Sequence, residues 1–305
     1  VDRTSTFVRL WRRRSTSTIA SMNGPHSMPE ERKSSRRRWL KRGLLGLGAT
    51  AAGFGYGYVE ASWLEINEST IAVPRLPKAF RDLRVTFISD VHHGPFTDLD
   101  YIRSVVDQAN ARQSDLILLG GDYTYQSSRY TKPCFEALSE LKAPLGVYGV
   151  FGNHDHMDGI EVARAAMKES GIVELTNTGR WLERGDQRLR LGGVGDLWKD
   201  RQDLKAALGD THKDETALVL SHNPDFAEDL DDERVGLVLS GHTHGGQVRF
   251  PIVGAPFVPS RYGEKFLEGL VPTTSTQVFV TRGIGAVLLP FRFTCRPEIS
   301  VLKLV

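Results

Sequence analysis

Five short apolar runs in this sequence each end in polar residues of the types that bind metals or move protons. The runs are RVTFIS (84–89), LILLG (116–120), GVYGVFG (146–152), ALVLS (217–221) and GLVLS (236–240). The polar residues that follow them are Asp90, His92, Asp122, Asn153, His154, Asp155, His222, His242 and His244. A single histidine at such a position is usually solvated or hydrogen-bonded, but the repetition at five run ends predicts one shared site.

The types of these side chains indicate which metals such a site would bind. Carboxylates, a carboxamide and several imidazoles suit Mn, Fe, Zn or Co, whereas Mg and Ca sites usually have oxygen ligands. The seven candidate ligands exceed what one tetrahedral ion uses and match two ions that share a bridge. Asp122 follows Gly120 and Gly121, which allow close backbone approach, so it is the predicted bridging carboxylate. Two divalent cations roughly 3.5 to 4 Å apart are typical of phosphoryl displacement.

The apolar runs alternate with helical patterns, which places the polar residues at one edge of a sheet. Helices are predicted at 98–111, 132–141, 159–170, 203–207 and 225–230. Continuous apolar runs indicate strands buried on both faces, and the crevice of an α/β sheet lies beyond the carboxyl ends of its strands. After Gly246, short strand patterns (QVRFPIV, STQVFVTRG and EISVLKL) are expected to complete a second sheet against the first. The pattern has no linker or internal repeat, so 62–305 is predicted to be one domain.

The pair His242 and His244 in GHTHGG leads to a finer expectation. In an extended segment, residues two apart face the same way, with Cα atoms roughly 6.6 Å apart at about 3.3 Å per residue. We therefore expect the two imidazoles to bind different ions of a close pair.

Charge is distributed unevenly along the chain. Residues 1–43 contain 12 Lys and Arg against three Asp and Glu, whereas the remainder contains 27 against 34. An acidic body argues against binding to a nucleic-acid polymer, which requires a basic face.

The only cysteines, Cys134 and Cys295, lack metal-ligand spacing, so they are expected to be buried thiols, with a disulfide in an oxidising compartment as the alternative.

The basic N-terminus precedes an apolar stretch without charges at residues 43–58. This stretch is glycine-rich and shorter than the roughly 20 residues that span a bilayer, as in the hydrophobic region of a signal peptide. Residues 35–41, SRRRWLK, resemble a twin-arginine export signal, with tryptophan where phenylalanine is usual. Residues 1–61 are therefore expected to be a disordered basic N-terminus plus a signal or membrane segment, with the true start at Met22 or Met28. There are two alternatives for this segment. It could be an uncleaved membrane anchor, or a basic tail that precedes an ordinary apolar helix.

The ordered motifs resemble those of the calcineurin-like metallophosphoesterase family. They are DVH at 90–92, GD at 121–122, GNHD at 152–155, SH at 221–222 and GHTH at 241–244. The similarity covers 83–305. It implies a four-layer α/β/β/α sandwich of two mixed β-sheets flanked by helices, with a dinuclear metal site at the sheet edge.

The resemblance also implies a role for each candidate residue. One metal would be bound by Asp90, His92, Asp122 and His244, and the other by Asp122, Asn153, His222 and His242. A hydroxide that bridges the metals would attack phosphorus in line. His154 would stabilise the transition state or protonate the leaving oxygen, and Asp155 would orient His154.

The C-terminal motifs TRGIG (281–285) and RPEI (296–299) resemble a subgroup of small bacterial phosphoesterases with a twin-arginine leader or an N-terminal membrane segment. Two arginines in this region, Arg282 and Arg292, are expected either to bind substrate phosphate or to pair with carboxylates such as Glu298.

The predicted function is therefore a metal-dependent phosphoester hydrolase, more specifically a phosphodiesterase. Its expected place is periplasmic or at the cytoplasmic membrane, with the twin-arginine export machinery as a partner and a lipid or envelope-linked phosphoester as substrate. One alternative is a UDP-2,3-diacylglucosamine-type pyrophosphatase of lipid A synthesis, which would need access to the cytoplasmic leaflet. Another is a non-catalytic, metal-dependent protein that binds an anionic envelope polymer.

Overall fold

The computed structural model describes residues 30–305, so the candidate start residues Met22 and Met28 lie outside the described residues. The α-helices of the described part are α1 (Glu30–Glu60), α2 (Leu99–Asn110), α3 (Thr131–Leu138), α4 (Asn153–Glu169) and α5 (Leu204–Leu208). Its strands are β1 (Glu65–Ile71), β2 (Arg84–Ile88), β3 (Leu116–Leu119), β4 (Val147–Gly149), β5 (Val173–Glu174), β6 (Thr178–Arg184), β7 (Gln187–Gly193), β8 (Ala217–Leu220), β9 (Val235–Ser240), β10 (Gly269–Pro272), β11 (Gln277–Val280) and β12 (Glu298–Leu304). The chain divides into two compact units, one ending at Ala49 and the other running from Thr50 to Val305.

Helix α1 contains the apolar stretch 43–58. Within residues 30–305, no helix combines the length and the apolar character needed to cross a membrane. The last turn of α1 is tied to a C-terminal loop, because the Glu60 carboxylate accepts hydrogen bonds from the backbone N–H groups of Thr294 (3.0 Å) and Cys295 (2.6 Å). The part of α1 from Thr50 onwards therefore belongs to the unit Thr50–Val305, and the predicted leader boundary at residue 61 stays a prediction.

The first sheet has the strand order β1-β12-β2-β3-β4-β5. Strands β2 to β5 are parallel, whereas β12 is antiparallel to β2 and parallel to β1. The expectation that the C-terminal run EISVLKL belongs to the second sheet is wrong, because it forms β12 inside the first. Its residues Ile299 and Val301 enter one core and Leu302 and Leu304 another, so this strand needs a position that is covered on both faces.

The second sheet has the strand order β10-β11-β9-β8-β7-β6. Strands β11, β9, β8 and β7 are parallel, and the edge strands β10 and β6 are antiparallel to their neighbours. The expected strand QVRFPIV forms turns with isolated bridges instead. Gln247 and Ile252 have φ of 55° and 79° there, and Pro251 has no N–H to donate to a sheet.

Within residues 30–305, three apolar cores separate the layers of the fold. Consecutive strand residues face opposite sides, so Ile88 packs with helices α2, α3 and α4 while Phe87 packs between the sheets. On the second sheet, Leu220 enters the core between the sheets and Val219 packs with α5. The order of layers is therefore α/β/β/α, and the predicted sandwich of two mixed sheets is confirmed.

Candidate metal centre

Backbone conformation distinguishes the predicted ligands from ordinary strand ends. Five of them have left-handed φ angles, namely Asp90 (53°), His92 (47°), Asp122 (56°), His242 (69°) and His244 (52°). For a residue other than glycine this region costs roughly 1 to 2 kcal/mol, and it persists only where the surroundings enforce it. These turns direct the chain around the strand ends, so that the side chains face a common centre.

The first cluster consists of Asp90, His92 and His244. The two imidazole Nε2 atoms lie 3.1 Å apart. The Asp90 Oδ1 atom lies 3.4 Å from Nε2 of His244 and 3.9 Å from Nε2 of His92. All three side chains are buried, so nitrogen and oxygen donors converge where bulk water does not reach.

The second cluster consists of Asp122, His222 and His242. His222 Nε2 lies 3.2 Å from Asp122 Oδ2 and 3.2 Å from Nδ1 of His242. The other ring nitrogen of His222, Nδ1, lies 2.8 Å from the carbonyl oxygen of Gly120. That contact orients the ring and leaves Nε2 facing the cluster, as outer contacts of metal-binding histidines do.

His242 belongs to the second cluster and His244 to the first, and their binding of different ions stays a prediction. The expected extended conformation is wrong, however, because both residues are left-handed and Thr243 between them is helical, with φ of −79° and ψ of −13°. A tight turn rather than a strand therefore separates the two imidazoles.

Asn153 is the remaining predicted ligand, and it opens helix α4. Its side chain is buried, and its Oδ1 atom has no hydrogen-bond partner among the described residues. A buried amide oxygen without a partner is costly, and a cation is a ligand that would satisfy it. The donor set thus fits divalent metal ions.

Two glycines of the motifs are required for close approach. A Cβ atom on Gly152 would collide with the Asp122 carboxylate and lie 2.7 Å from Nε2 of His222. A Cβ atom on Gly241 would collide with the Asp90 carboxylate. Both glycines therefore let the backbone contact the carboxylates that would bind metal.

The charge states of the imidazoles suit metal binding. Burial lowers the pKa of His92 and of His242 to about 3, and lowers the pKa of His244 well below its usual value. These rings are neutral near pH 7, which is the form that binds metal. The pKa of His222 is instead raised to about 10, because the facing Asp122 carboxylate outweighs the lowering effect of burial. A cation bound between His222 and Asp122 would therefore displace a proton.

His154 lies next to both clusters. Its backbone N–H donates to Asp122 Oδ1 at 2.8 Å, and its ring centroid lies 4.9 Å from that of His92 and 5.2 Å from that of Tyr125. The residue is half-buried, unlike the predicted ligands. It can therefore meet a substrate that enters the centre.

Asp155 does not have the role expected for it. Its carboxylate accepts hydrogen bonds from the backbone N–H groups of Gly152 (2.9 Å), Asp122 (2.8 Å) and Tyr123 (2.8 Å), not from the His154 ring. Asp155 follows His154 directly and turns inward as the third residue of α4, where a carboxylate accepts from the N-cap N–H. It fixes the loop after β3 against the start of α4 and thereby sets the distance between Asp122 and His154.

Arg282 adopts the second of its two expected roles. Its guanidinium contacts the carboxylates of Glu65 (2.8 Å), Glu298 (2.8 Å) and Glu268 (3.3 Å). Three carboxylates around one guanidinium leave it poorly placed to bind a phosphate.

Arg292 fits neither expected role, because it is completely buried and donates to backbone carbonyls. Its acceptors are the carbonyl oxygens of Gly285, His244, Cys295, Arg282 and Gly283. The guanidinium joins the backbone of a predicted metal ligand to the loop at 282–285. Burial, which the sequence did not reveal, excludes it from direct contact with substrate.

Two aromatic residues near the centre were not foreseen from the sequence. The Trp198 ring lies 4.3 Å from the His242 ring and is 51% exposed. The Tyr125 ring lies 5.6 Å from the His92 ring, and its hydroxyl accepts from the backbone N–H of Leu288. Trp198 lies five positions after the end of β7, a strand that was not predicted from the sequence.

The cysteines are buried free thiols, as expected. Cys134 packs in the core beside α2, α3 and α4, and the Cys295 sulfur lies 3.3 Å from the carbonyl oxygen of His244.

An α/β/β/α sandwich whose strand ends gather histidines and carboxylates is the architecture of metallophosphoesterases. The sequence profile of the calcineurin-like phosphoesterase family matches residues 83–246, and the chain belongs to this family. The motif resemblance seen in the sequence is thereby confirmed at the level of the family.

Individual relatives extend the similarity beyond residues 83–246. YkuE of Bacillus subtilis (strain 168), an uncharacterized metallophosphoesterase, is 35% identical over 285 residues, which cover 90% of this chain and 98% of YkuE. The phosphodiesterase YaeI of Escherichia coli (strain K12) is 35% identical over 283 residues, which cover 89% of this chain and 99% of YaeI. An uncharacterized metallophosphoesterase of Helicobacter pylori (strain 26695) is 30% identical over 287 residues, with coverages of 89% and 73%.

Proposed function

We propose that this chain is a phosphodiesterase that uses two divalent cations sharing Asp122. The observation that carries the proposal is the position of one carboxylate oxygen. Asp122 Oδ2 lies 3.5 Å from Nε2 of His92 and 3.2 Å from Nε2 of His222, so it faces both histidine clusters as a bridging ligand does. The proposed ligands of the first cation are Asp90, His92, Asp122 and His244, and those of the second are Asp122, Asn153, His222 and His242.

The protein contributes position and proton transfer to this reaction. Cations at the two clusters would supply a nucleophilic hydroxide at neutral pH and neutralise charge on the phosphoryl oxygens. His154 is held beside Asp122 by its backbone N–H, and its half-buried ring would donate a proton to the leaving oxygen or stabilise the transition state. Asp155 keeps this geometry by its three backbone hydrogen bonds.

The proposed substrate is a diester rather than a monoester, and the cations are Mn, Fe, Zn or Co. The relative YaeI, 35% identical, is named a phosphodiesterase, which supports the diester. The mixed nitrogen and oxygen donors accept any of these four metals, so cellular supply would decide which is bound.

A direct test is hydrolysis of bis(p-nitrophenyl) phosphate by the full chain loaded with Mn(II). We expect Asp122→Ala to lower turnover about 10³-fold or more, because it removes the shared ligand, and His154→Ala to lower it about 10² to 10⁴-fold. Asp214→Ala and His212→Ala are matched controls, since both side chains are exposed in an ion pair away from the clusters. Wild-type turnover no greater than that of Asp122→Ala under Mn, Fe, Zn and Co would favour the non-catalytic envelope-binding alternative.

The proposed place of action is the membrane or the cell envelope, reached by twin-arginine export. The order SRRRWLK at 35–41 and the uncharged stretch 43–58 support this proposal. A reporter that is active only outside the cytoplasm, fused after Val305, should be active. Replacing Arg36 and Arg37 by lysine should silence it, whereas Arg42→Lys should not. A silent wild-type fusion would instead favour the pyrophosphatase alternative, whose lipid substrate is reached from the cytoplasm.

A further inference from the structure

An apolar pocket adjoins the proposed metal centre. Its volume is about 290 Å³, and the wall includes His244, Val248, Phe257, Val287, Leu289 and Phe291. The wall consists almost entirely of carbon atoms, although a cluster of charged and polar groups lies beside it. His244 belongs both to this wall and to the first ligand cluster, so an occupant of the pocket lies next to the centre.

The shape of the pocket is fixed by hydrogen bonds from polar side chains. The Gln247 amide donates to the carbonyl oxygen of Val287 at 2.9 Å and accepts from its backbone N–H at 3.0 Å. The Tyr125 hydroxyl accepts from the backbone N–H of Leu288 at 3.0 Å, while the Tyr125 ring contacts the rings of His92 and His154. The loop at 287–291 is thus tied to the metal centre, and the pocket exists before any ligand binds.

The rim of the pocket exposes large apolar side chains. The exposed fractions of the wall residues Phe257, Leu288 and Leu289 are 67%, 70% and 59%. An exposed apolar patch of this kind usually marks a binding site. The Phe54 ring of helix α1 contacts Phe291, which is a wall residue, with 5.5 Å between the ring centroids. The apolar surface therefore runs from the end of α1 to the metal centre.

We infer that this pocket binds the hydrocarbon chain of an amphiphilic phosphodiester whose phosphate lies at the metal centre. The inference rests on the proposed phosphodiesterase function and adds the substrate class. A nucleobase or a sugar would need hydrogen-bond partners that a carbon-lined wall does not offer, whereas an alkyl chain needs none. The volume is about twice that of an apolar cavity that holds benzene, which corresponds to on the order of ten carbon atoms.

The experiment uses alkyl p-nitrophenyl phosphates with methyl, butyl, octyl and dodecyl groups, all below their micelle concentrations. We expect kcat/KM to rise about 4-fold for each methylene that enters the pocket and to level off when the pocket is filled. The gain should come through a lower KM, because binding of the chain is the same in substrate and transition state.

Variants of exposed wall residues test the assignment without endangering the fold. Phe257→Gln and Leu289→Gln should each reduce the ratio of kcat/KM for the octyl ester to that for the methyl ester by about 10-fold. Leu270→Gln is the matched control, since Leu270 is 44% exposed on β10 and is not part of the pocket wall. Its octyl-to-methyl ratio should equal that of the wild type.

The possible failures can be told apart. Turnover of the methyl ester without any effect of chain length would overturn the hydrocarbon pocket and leave the phosphodiesterase intact. The pocket would also be overturned if the variants keep the wild-type ratio, or if Leu289→Gln changes the oligomeric state by size-exclusion chromatography instead, which would make the patch a contact between copies. Absence of turnover for every ester would contradict the proposed function itself.

Discussion

The strand ends bury polar side chains, whereas the C-terminal loops expose apolar side chains, and both arrangements are unusual for a folded protein. At the strand ends, His92 and His222 are completely buried and Asp122 is 1% exposed, although polar groups normally face water. In the loops at 247–259 and 287–291, Ile252 and Leu288 are exposed although apolar groups normally avoid water. Each region has side chains that a ligand of its own kind would satisfy, a cation in the first and a hydrocarbon chain in the second.

The two regions also differ in their position relative to the part of the chain that matches the family profile. Residues 83–246, which match the family profile, contain every predicted ligand, whereas most wall residues of the pocket follow Gly246. We therefore expect the strand ends to perform the reaction common to the family and the loops to select the substrate.

Removal of one ligand from each cluster would break the comparison most directly. His222→Ala and His244→Ala should each lose one cation per chain and about 10³-fold in turnover, because each deletes a donor from a different proposed site. Elemental analysis of the purified proteins gives the metal content, and His212→Ala is the control. If a His222→Ala/His244→Ala double variant loses no more metal than either single variant, the assignment of His222 and His244 to separate sites is wrong.

Arg292 directly follows the loop at 287–291 and donates to the carbonyl oxygen of His244, so its replacement should disturb both regions. Arg292→Lys leaves several buried carbonyl oxygens without a donor and should lower the free energy of unfolding by about 3 kcal/mol. Urea denaturation measures this change. Arg103→Lys, in an exposed ion pair with Asp100, should change the same quantity by less than about 0.5 kcal/mol. Equal effects for the two variants would mean that Arg292 does not support the centre.

Glu60 tests whether the end of helix α1 belongs to the folded body. Glu60→Ala removes the acceptor for two backbone N–H groups and should lower the free energy of unfolding by about 2 kcal/mol. Thermal denaturation provides the measurement, with the exposed Glu68→Ala as the control. Unchanged stability would make the region before residue 61 dispensable, as a cleaved leader would be.

Trp198 lies beside His242, whereas the apolar pocket adjoins His244. Replacement of Trp198 should therefore affect substrate binding without affecting the pocket. Trp198→Ala should raise KM for aryl esters by roughly 2- to 10-fold through loss of an aromatic contact. The dependence on alkyl chain length should stay as in the wild type. Trp63→Ala, which removes a tryptophan of similar exposure, should leave KM unchanged. If Trp198→Ala lost the dependence on chain length, the hydrocarbon chain would lie beside His242 and not in the pocket beside His244.

The sequence predicted the site residues best where an apolar run both forms a strand and ends at the common edge of a parallel sheet. Strands β2, β3, β8 and β9 are largely apolar runs, and a carboxylate or an imidazole follows within three positions of the end of each. Since parallel strands end at a common edge, Asp90, Asp122, His222 and His242 had to converge once the sheets formed. The C-terminal EISVLKL has the same apolar character, but its sheet depends on which strand it pairs with, which the local pattern does not encode.

The roles of Asp155 and Arg292 show where the sequence was not sufficient. Asp155 stands next to His154 in sequence, yet the first turn of α4 directs the two side chains apart. Arg292 looks like a surface cation in an RF-rich segment, yet its burial against five carbonyl oxygens arises from loops that meet only in the folded chain.

The sequence by itself determined the family, the alternation of strands and helices and the polar motifs that follow the strands, because each of these is encoded by residues near one another. Only the tertiary structure decided the left-handed turns at the ligands, the buried hydrogen bonds of Asp155 and Arg292, and the apolar pocket. Those features depend on contacts such as that of Gln247 with Val287, 40 positions apart, and loop paths of this kind are set by packing rather than by local propensity.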